Sequence, residues 1–117
     1  MATIPFVNQK SNIEGDVYKC TPLAEGDSSG VLTINEGGAE IAVHIYGTVG
    51  ASTITVQGSL LNSQFNTVDD AYGVAMSYTA IGVLKPVGPA ITALKVVSTG
   101  GSGASVTADV YIVRKVR

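Results

Sequence analysis

Between residues 105 and 112 the chain alternates without a break. Val106, Ala108, Val110 and Ile112 fall on one side, and Ser105, Thr107, Asp109 and Tyr111 on the other. A period of two marks a strand with one face in a core and the other turned out. Residues 90–98 are rich in β-branched side chains and follow the turn signal Pro86-Val-Gly-Pro89, so they form a second strand. Between the two lies STGGSGAS, residues 98–105. Two strands joined by a Gly/Ser run predict an antiparallel hairpin with that stretch as its mobile tip. A phosphate-binding P-loop would need Gly-Lys-Ser/Thr followed by a helix, and here a strand follows.

The alternation recurs upstream. Ile41, Val43 and Ile45 share one face of residues 39–46, and Ile54, Val56 and Leu60 share one face of residues 52–61, with Gly47-Thr-Val-Gly50 as the turn between them. Shorter strands are expected over 31–35, closed by Glu36-Gly-Gly38, and over 72–79. No window carries the 3.6-residue period of an amphipathic helix, and residues 79–82 offer at most one helical turn. Strands every dozen or so residues, punctuated by glycine, predict an all-β fold, a small antiparallel β-sandwich or barrel.

The first thirty residues differ in kind. Pro5, Pro22 and the polar clusters at 8–12 and 25–30 interrupt the apolar pattern, leaving Ile4, Phe6, Val7 and Tyr18 as scattered anchors. Residues 1–30 therefore read as an extended N-terminal arm, and 31–117 as the β-sandwich domain. An arm with anchors but no period of its own lies across something else, either a partner or the edge of its own domain.

Composition narrows the function. The 117 residues suit one domain, and a charged fraction of 14% with 14 glycines argues for a folded, strand-rich chain. No apolar run approaches the roughly 20 residues of a membrane span, and MATIPFVNQK lacks the charged and apolar regions of a secretory leader. Residues 1–70 carry eight acids against Lys10 and Lys19, whereas 71–117 carry five basic residues against Asp109. Folding can mix these signs into an ordinary surface or leave a dipole suited to self-association; with exposed strand edges, the latter predicts a dimer or trimer. Arg114, Lys115 and Arg117 are too few, and lack interleaved aromatics, for nucleic-acid binding.

Candidate chemistry is sparse. Cys20 is the single cysteine, so it reads as a small, half-buried hydrophobe rather than a nucleophile. His44 falls opposite the core residues of its strand, on a surface or interface, with no second His or Cys at metal spacing. Asp69 and Asp70 could share calcium with Glu25 or Asp27, but the spacing is not that of an EF-hand and a solvated turn is favoured. No nucleophile elbow, catalytic carboxylate pair or dinucleotide fingerprint is present, so no enzyme, cofactor or metal is expected.

One resemblance bears on function. The succession TITVQGS at 53–59, FNTVDD at 65–70, Tyr78-Thr-Ala80, Gly88-Pro89, LKVV at 94–97 and GGSGASVT at 100–107 resembles small β-sandwich structural proteins of tailed-bacteriophage particles. Among these the likeness is greatest to the jelly-roll-like decoration, or cement, proteins of the capsid exterior. It spans residues 41–113 and leaves the N-terminal arm unmatched. The resemblance implies many copies bridging neighbouring major capsid proteins, assembly in the bacterial host cytoplasm, a virion location on the capsid exterior and no catalysis. The contacts would come from Ile4, Phe6, Val7 and Tyr18 in the arm and from Arg114, Lys115 and Arg117 in the tail. A tail or head-fibre subunit is a related alternative. A carbohydrate-binding sandwich is another, although no Trp and only five scattered tyrosines offer little stacking surface.

Overall fold

The computed structural model describes residues 2–11, 14–34, 40–60, 64–80, 82–89 and 91–113. Among them are twelve strands and no helix: β1 (Thr3–Ile4), β2 (Val7–Ser11), β3 (Gly15–Leu23), β4 (Ser28–Ser29), β5 (Leu32–Thr33), β6 (Glu40–Thr48), β7 (Thr53–Ser59), β8 (Asn66–Thr67), β9 (Ser77–Tyr78), β10 (Val83–Pro86), β11 (Ala93–Thr99) and β12 (Ser105–Val113). One sheet runs β10-β6-β12-β3-β2. The other runs β1-β4-β11-β7-β8, with β5 also on β11 and β9 also on β7. Pairing is antiparallel except between β1 and β4. The fold is the all-β sandwich that the alternation predicts.

The core forms where the inward sets of the two sheets meet. Ile41, Val43 and Ile45 of β6, Val106, Ala108, Val110 and Ile112 of β12, and Cys20 and Leu23 of β3 face Ile54 and Val56 of β7 and Leu94 and Val96 of β11; Met76 and Val68 complete the cluster. Full burial of side chains this size contributes about 2 kcal/mol each. Leu60, expected on the same face as Ile54 and Val56, is instead 67% exposed. β7 ends at Ser59, and the next inward place falls to Gly58, where a Cβ would lie 2.9 Å from Val68 and 2.8 Å from Ile91.

The N-terminal third is not an arm. β3 pairs with β12 from Gly15↔Val113 to Leu23↔Val106, so residues 15–23 are an internal strand of the five-stranded sheet. A bulge hides it from the sequence: Ala108 pairs with Cys20 but Val106 with Leu23, leaving an extra residue on β3 at Thr21-Pro22. The bulge moves the inward set from Tyr18 and Cys20 to Leu23 and breaks the period of two. Ahead of it, β1 joins the seven-stranded sheet and β2 the five-stranded one, so the Pro5-Phe6 step crosses between layers and closes one side of the sandwich. Removing residues 2–10 would therefore uncover the core rather than shed an accessory segment.

The glycine-rich stretch is not a hairpin tip either. β11 and β12 lie in different sheets, and so do β6 and β7, so the turns at 100–104 and at 49–52 are arches carrying the chain from one layer to the other. They are tied together, since Ala51 N–H donates to Ser102 O at 3.0 Å and Ser52 Oγ donates to Gly100 O at 2.7 Å. The tip is held, not mobile. The strand expected over 72–79 shrinks to Ser77–Tyr78, and residues 79, 80 and 82 contain no helical turn.

The two arch glycines make different demands. Both have positive φ, 69° at Gly100 and 58° at Gly101, but a Cβ on Gly100 meets nothing within 4 Å, whereas one on Gly101 collides with the Ala51 backbone. In chemical denaturation Gly100→Ala is expected to cost about 1 kcal/mol, the left-handed penalty alone. Gly101→Ala should cost about 3 kcal/mol or more, because the clash adds to that penalty. Equal losses would show that the arches are not in contact.

Candidate functional site

The two outer faces of the sandwich are unlike. On the seven-stranded sheet, alternation turns Thr53, Thr55 and Gln57 of β7 and Lys95, Val97 and Thr99 of β11 outward, a polar set of the kind water covers; Lys95 Nζ stands 4.7 Å from the Phe65 ring centre. On the five-stranded sheet, one row in register reads Leu84, His44, Asp109, Lys19, Val7, and the next reads Pro86, Ala42, Tyr111, Val17, Lys10. All of these positions but Asp109, Lys19 and Lys10 are aliphatic or aromatic. Leu84 is 64% exposed and Val7 54%.

A groove of about 330 Å³ runs across that face, lined by Val17, Ala42, His44, Leu84, Asp109 and Tyr111, with Lys85 and Pro86 at its rim. Tyr46 packs its ring against His44 at 4.8 Å between centres, and its hydroxyl donates to Asp109 Oδ2 at 2.9 Å. The other carboxylate oxygen, Asp109 Oδ1, is buried with no hydrogen-bond partner among the described residues. A carboxylate oxygen shut from water without a donor is costly. His44 lies on this outer face, opposite the core, as the alternation predicts.

A second feature lies beyond β10. Asp70 is buried, and its Oδ1 accepts from Tyr72 N–H at 2.8 Å and Val74 N–H at 3.1 Å, while Asp70 N–H donates to Val74 O at 2.8 Å. Gly73, at φ 81°, completes the turn. Its base is anchored, with Ala71 N–H donating to Pro86 O at 3.0 Å and Gly88 N–H to Asp69 O at 2.9 Å. The result is a braced tip that holds Tyr72 78% exposed and Val74 60% exposed. Ordered, exposed tyrosine costs little side-chain entropy on docking, which suits it to interface contact. The sequence signal is Asp70 three residues ahead of Gly73, in the stretch where a solvated turn is expected at Asp69 and Asp70.

The residues expected to bind a partner scatter. Ile4, Phe6 and Tyr18 are half-buried against the chain's own core. Val7 alone of that set is exposed, on edge strand β2. Arg114, Lys115 and Arg117 lie outside the described residues. Asp27, weighed as a calcium ligand, accepts from Ala2 N–H at 2.9 Å through Oδ1 and from Ala24 N–H at 3.0 Å through Oδ2. Asp70 is committed to its turn. Among the described residues no three His, Cys, Asp or Glu side chains form a metal-binding group. Cys20 is fully buried rather than half-buried, and its thiol donates to Ile4 O at 3.3 Å.

No family model matches the sequence, and no curated protein matches it. Among solved structures the chain is similar to the crystal structure of SPBc2 prophage-derived protein YomS, with a TM-score of 0.67 and 11% identity over 90% of this chain and 99% of that one. The two share a fold over that length.

Burial, and then the nearby Asp27 carboxylate, push the Cys20 thiol up from 9.0 to about 11. Because the folded value lies above the unfolded one, the contribution of the neutral thiol is complete below pH 9 and is lost as pH climbs through about 11. That loss is expected to reach about 2–3 kcal/mol. Denaturation at pH 8 and pH 11 should show a steeper fall for the wild type than for Cys20→Ala. A thiol reagent at pH 8 should label Cys20 only after unfolding, and rapid labelling of the native protein would contradict the burial.

Proposed function

We propose that the protein is a structural component of a tailed-bacteriophage particle, a decoration protein that binds the outer surface of the capsid and bridges major capsid protein subunits. The observation that carries this reading is the likeness of fold, over 90% of this chain, to a prophage-derived protein, added to the resemblance of residues 41–113 to decoration proteins. The match covers 99% of YomS and 90% of this chain. The role is attachment, not catalysis. The features that favour attachment are geometric: a braced tip with Tyr72 outermost and an outer sheet face with a mainly apolar groove. A cement protein works by contacting several subunits at once, so that rupture of the shell must break those contacts together, and multivalency turns weak single contacts into firm attachment.

The reading is tested on particles of the phage or prophage whose genome encodes the chain. Cryo-electron microscopy should place the protein on the capsid exterior, in copy number comparable to the major capsid protein. Tyr72→Ala, which removes an exposed side chain and leaves the core intact, should lower occupancy, and shells lacking the protein should break at lower temperature. A few copies confined to the tail would favour a tail or fibre subunit. Absence from the particle would overturn the proposal.

A further inference from the structure

We infer that the outer face of the five-stranded sheet is the interface of a two-fold dimer of this chain. The inference stands apart from the capsid reading, because a dimer can form without a shell and a monomer can decorate one.

Edge-to-edge pairing, the simpler route to a dimer, is discouraged at both ends of this sheet. β2 carries Lys10 and a register shift between Asn8 and Lys10. β10 carries Lys85 and ends in Pro86, whose carbonyl already accepts from Ala71 N–H. Charges, bulges and prolines are the devices that keep sheet edges from joining. The face between them is not protected in this way. Its centre holds Ala42, Tyr111, Val17 and His44, with Lys10, Lys19 and Lys85 at or beside the flanking strands.

The face is self-complementary. Consider a two-fold axis running along the strands between β6 and β12, through the middle of the groove. It sets Asp109 of each copy over His44 of the other, Tyr111 over Ala42, and Lys19 over Leu84. The exposed Leu84 side chain then packs on the aliphatic stem of Lys19. Each contact occurs twice, as an isologous interface requires. Strand spacing and rise give this face roughly 600 Å² per copy before side-chain relief is counted. The pair would thus bury about 1,200 Å², the lower end of the range for specific interfaces. An acidic or basic hetero-partner fits less well, because Asp109 and Lys19 are adjacent and of opposite sign.

Sedimentation of the full chain at micromolar to millimolar concentration tests the inference. The wild type should form a dimer. Leu84→Asp, on an exposed edge position, and Ala42→Arg, in the groove, should each weaken it at least ~tenfold while circular dichroism and melting remain those of a folded sandwich. Thr55→Asp, on the outer face of the other sheet, should dimerise like the wild type. A wild type monomeric throughout, or Leu84→Asp and Ala42→Arg variants that associate as well as the wild type, would overturn the inference. A dimer absent from phage particles would refute only the capsid reading.

Discussion

The structure turns on β12, the strand that lies between β6 and β3 and pairs with β6 through all nine of its residues. Its strict alternation sends Val106, Ala108, Val110 and Ile112 into the core and Thr107, Asp109, Tyr111 and Val113 to the outer face. A slip of one residue would bury Asp109 and Tyr111 and expose four apolar side chains, so the register is held by the hydrophobic effect as much as by the ladder. β12 comes last in the chain, and its neighbours begin some ninety and sixty-five residues earlier. The five-stranded sheet cannot close until the final strand is in place, a demand typical of sandwiches with distant pairings.

Everything else works to hold the second sheet against that one. The arches at 49–52 and 100–104 pass the chain between layers at one end, and glycines in the left-handed region make the reversal possible. The N-terminal crossing at Pro5-Phe6 does the same at the β2 and β1 edges. Asp27 secures that crossing: its carboxylate accepts from Ala2 and Ala24, and its carbonyl accepts from Ser98 on β11. One buried acid thus ties the start of the chain, the β3–β4 turn and the centre of the opposite sheet. Both of its carboxylate oxygens have backbone donors, which offsets the cost of burying them.

Legibility in the sequence followed the period of two. β6, β7 and β12 alternate cleanly, β11 shows in its β-branched run after a turn signal, and each lies close to its expected bounds. β3 was missed because its bulge at Thr21-Pro22 shifts the inward set, which makes a central strand look aperiodic. β10 was missed because Leu84 breaks the usual polar-out pattern by being both outward and apolar. The hairpin assigned to STGGSGAS failed for another reason. Local sequence specifies a chain reversal, but whether the next strand pairs with the last or crosses to the other layer depends on which partners are available. The binding residues suffered the same ambiguity. Ile4, Phe6 and Tyr18 are apolar without a period, and that holds for core plugs at a sheet edge as well as for contacts to a partner. The outer-face cluster is spread over five strands and becomes a surface only when register aligns it, so no linear motif announces it.

That alignment has a consequence for how the protein could act in an assembly. The outer face of the five-stranded sheet and the braced Tyr72 tip meet at β10, whose Pro86 carbonyl holds the tip through Ala71 and whose Leu84 borders the groove. The tip rides on the same strand that lines the groove, so a dimer made through the face would carry two tips in a fixed relation, with no linker to lose entropy on binding. Two rigidly spaced contacts on a repeating lattice bind with an effective concentration set by how well their spacing matches the repeat. A match gives strong attachment from individually weak tips, and a mismatch gives almost none. In such a dimer the double-arched sandwich would supply the rigidity, keeping Tyr72 and Leu84 at a set distance where an extended arm would not.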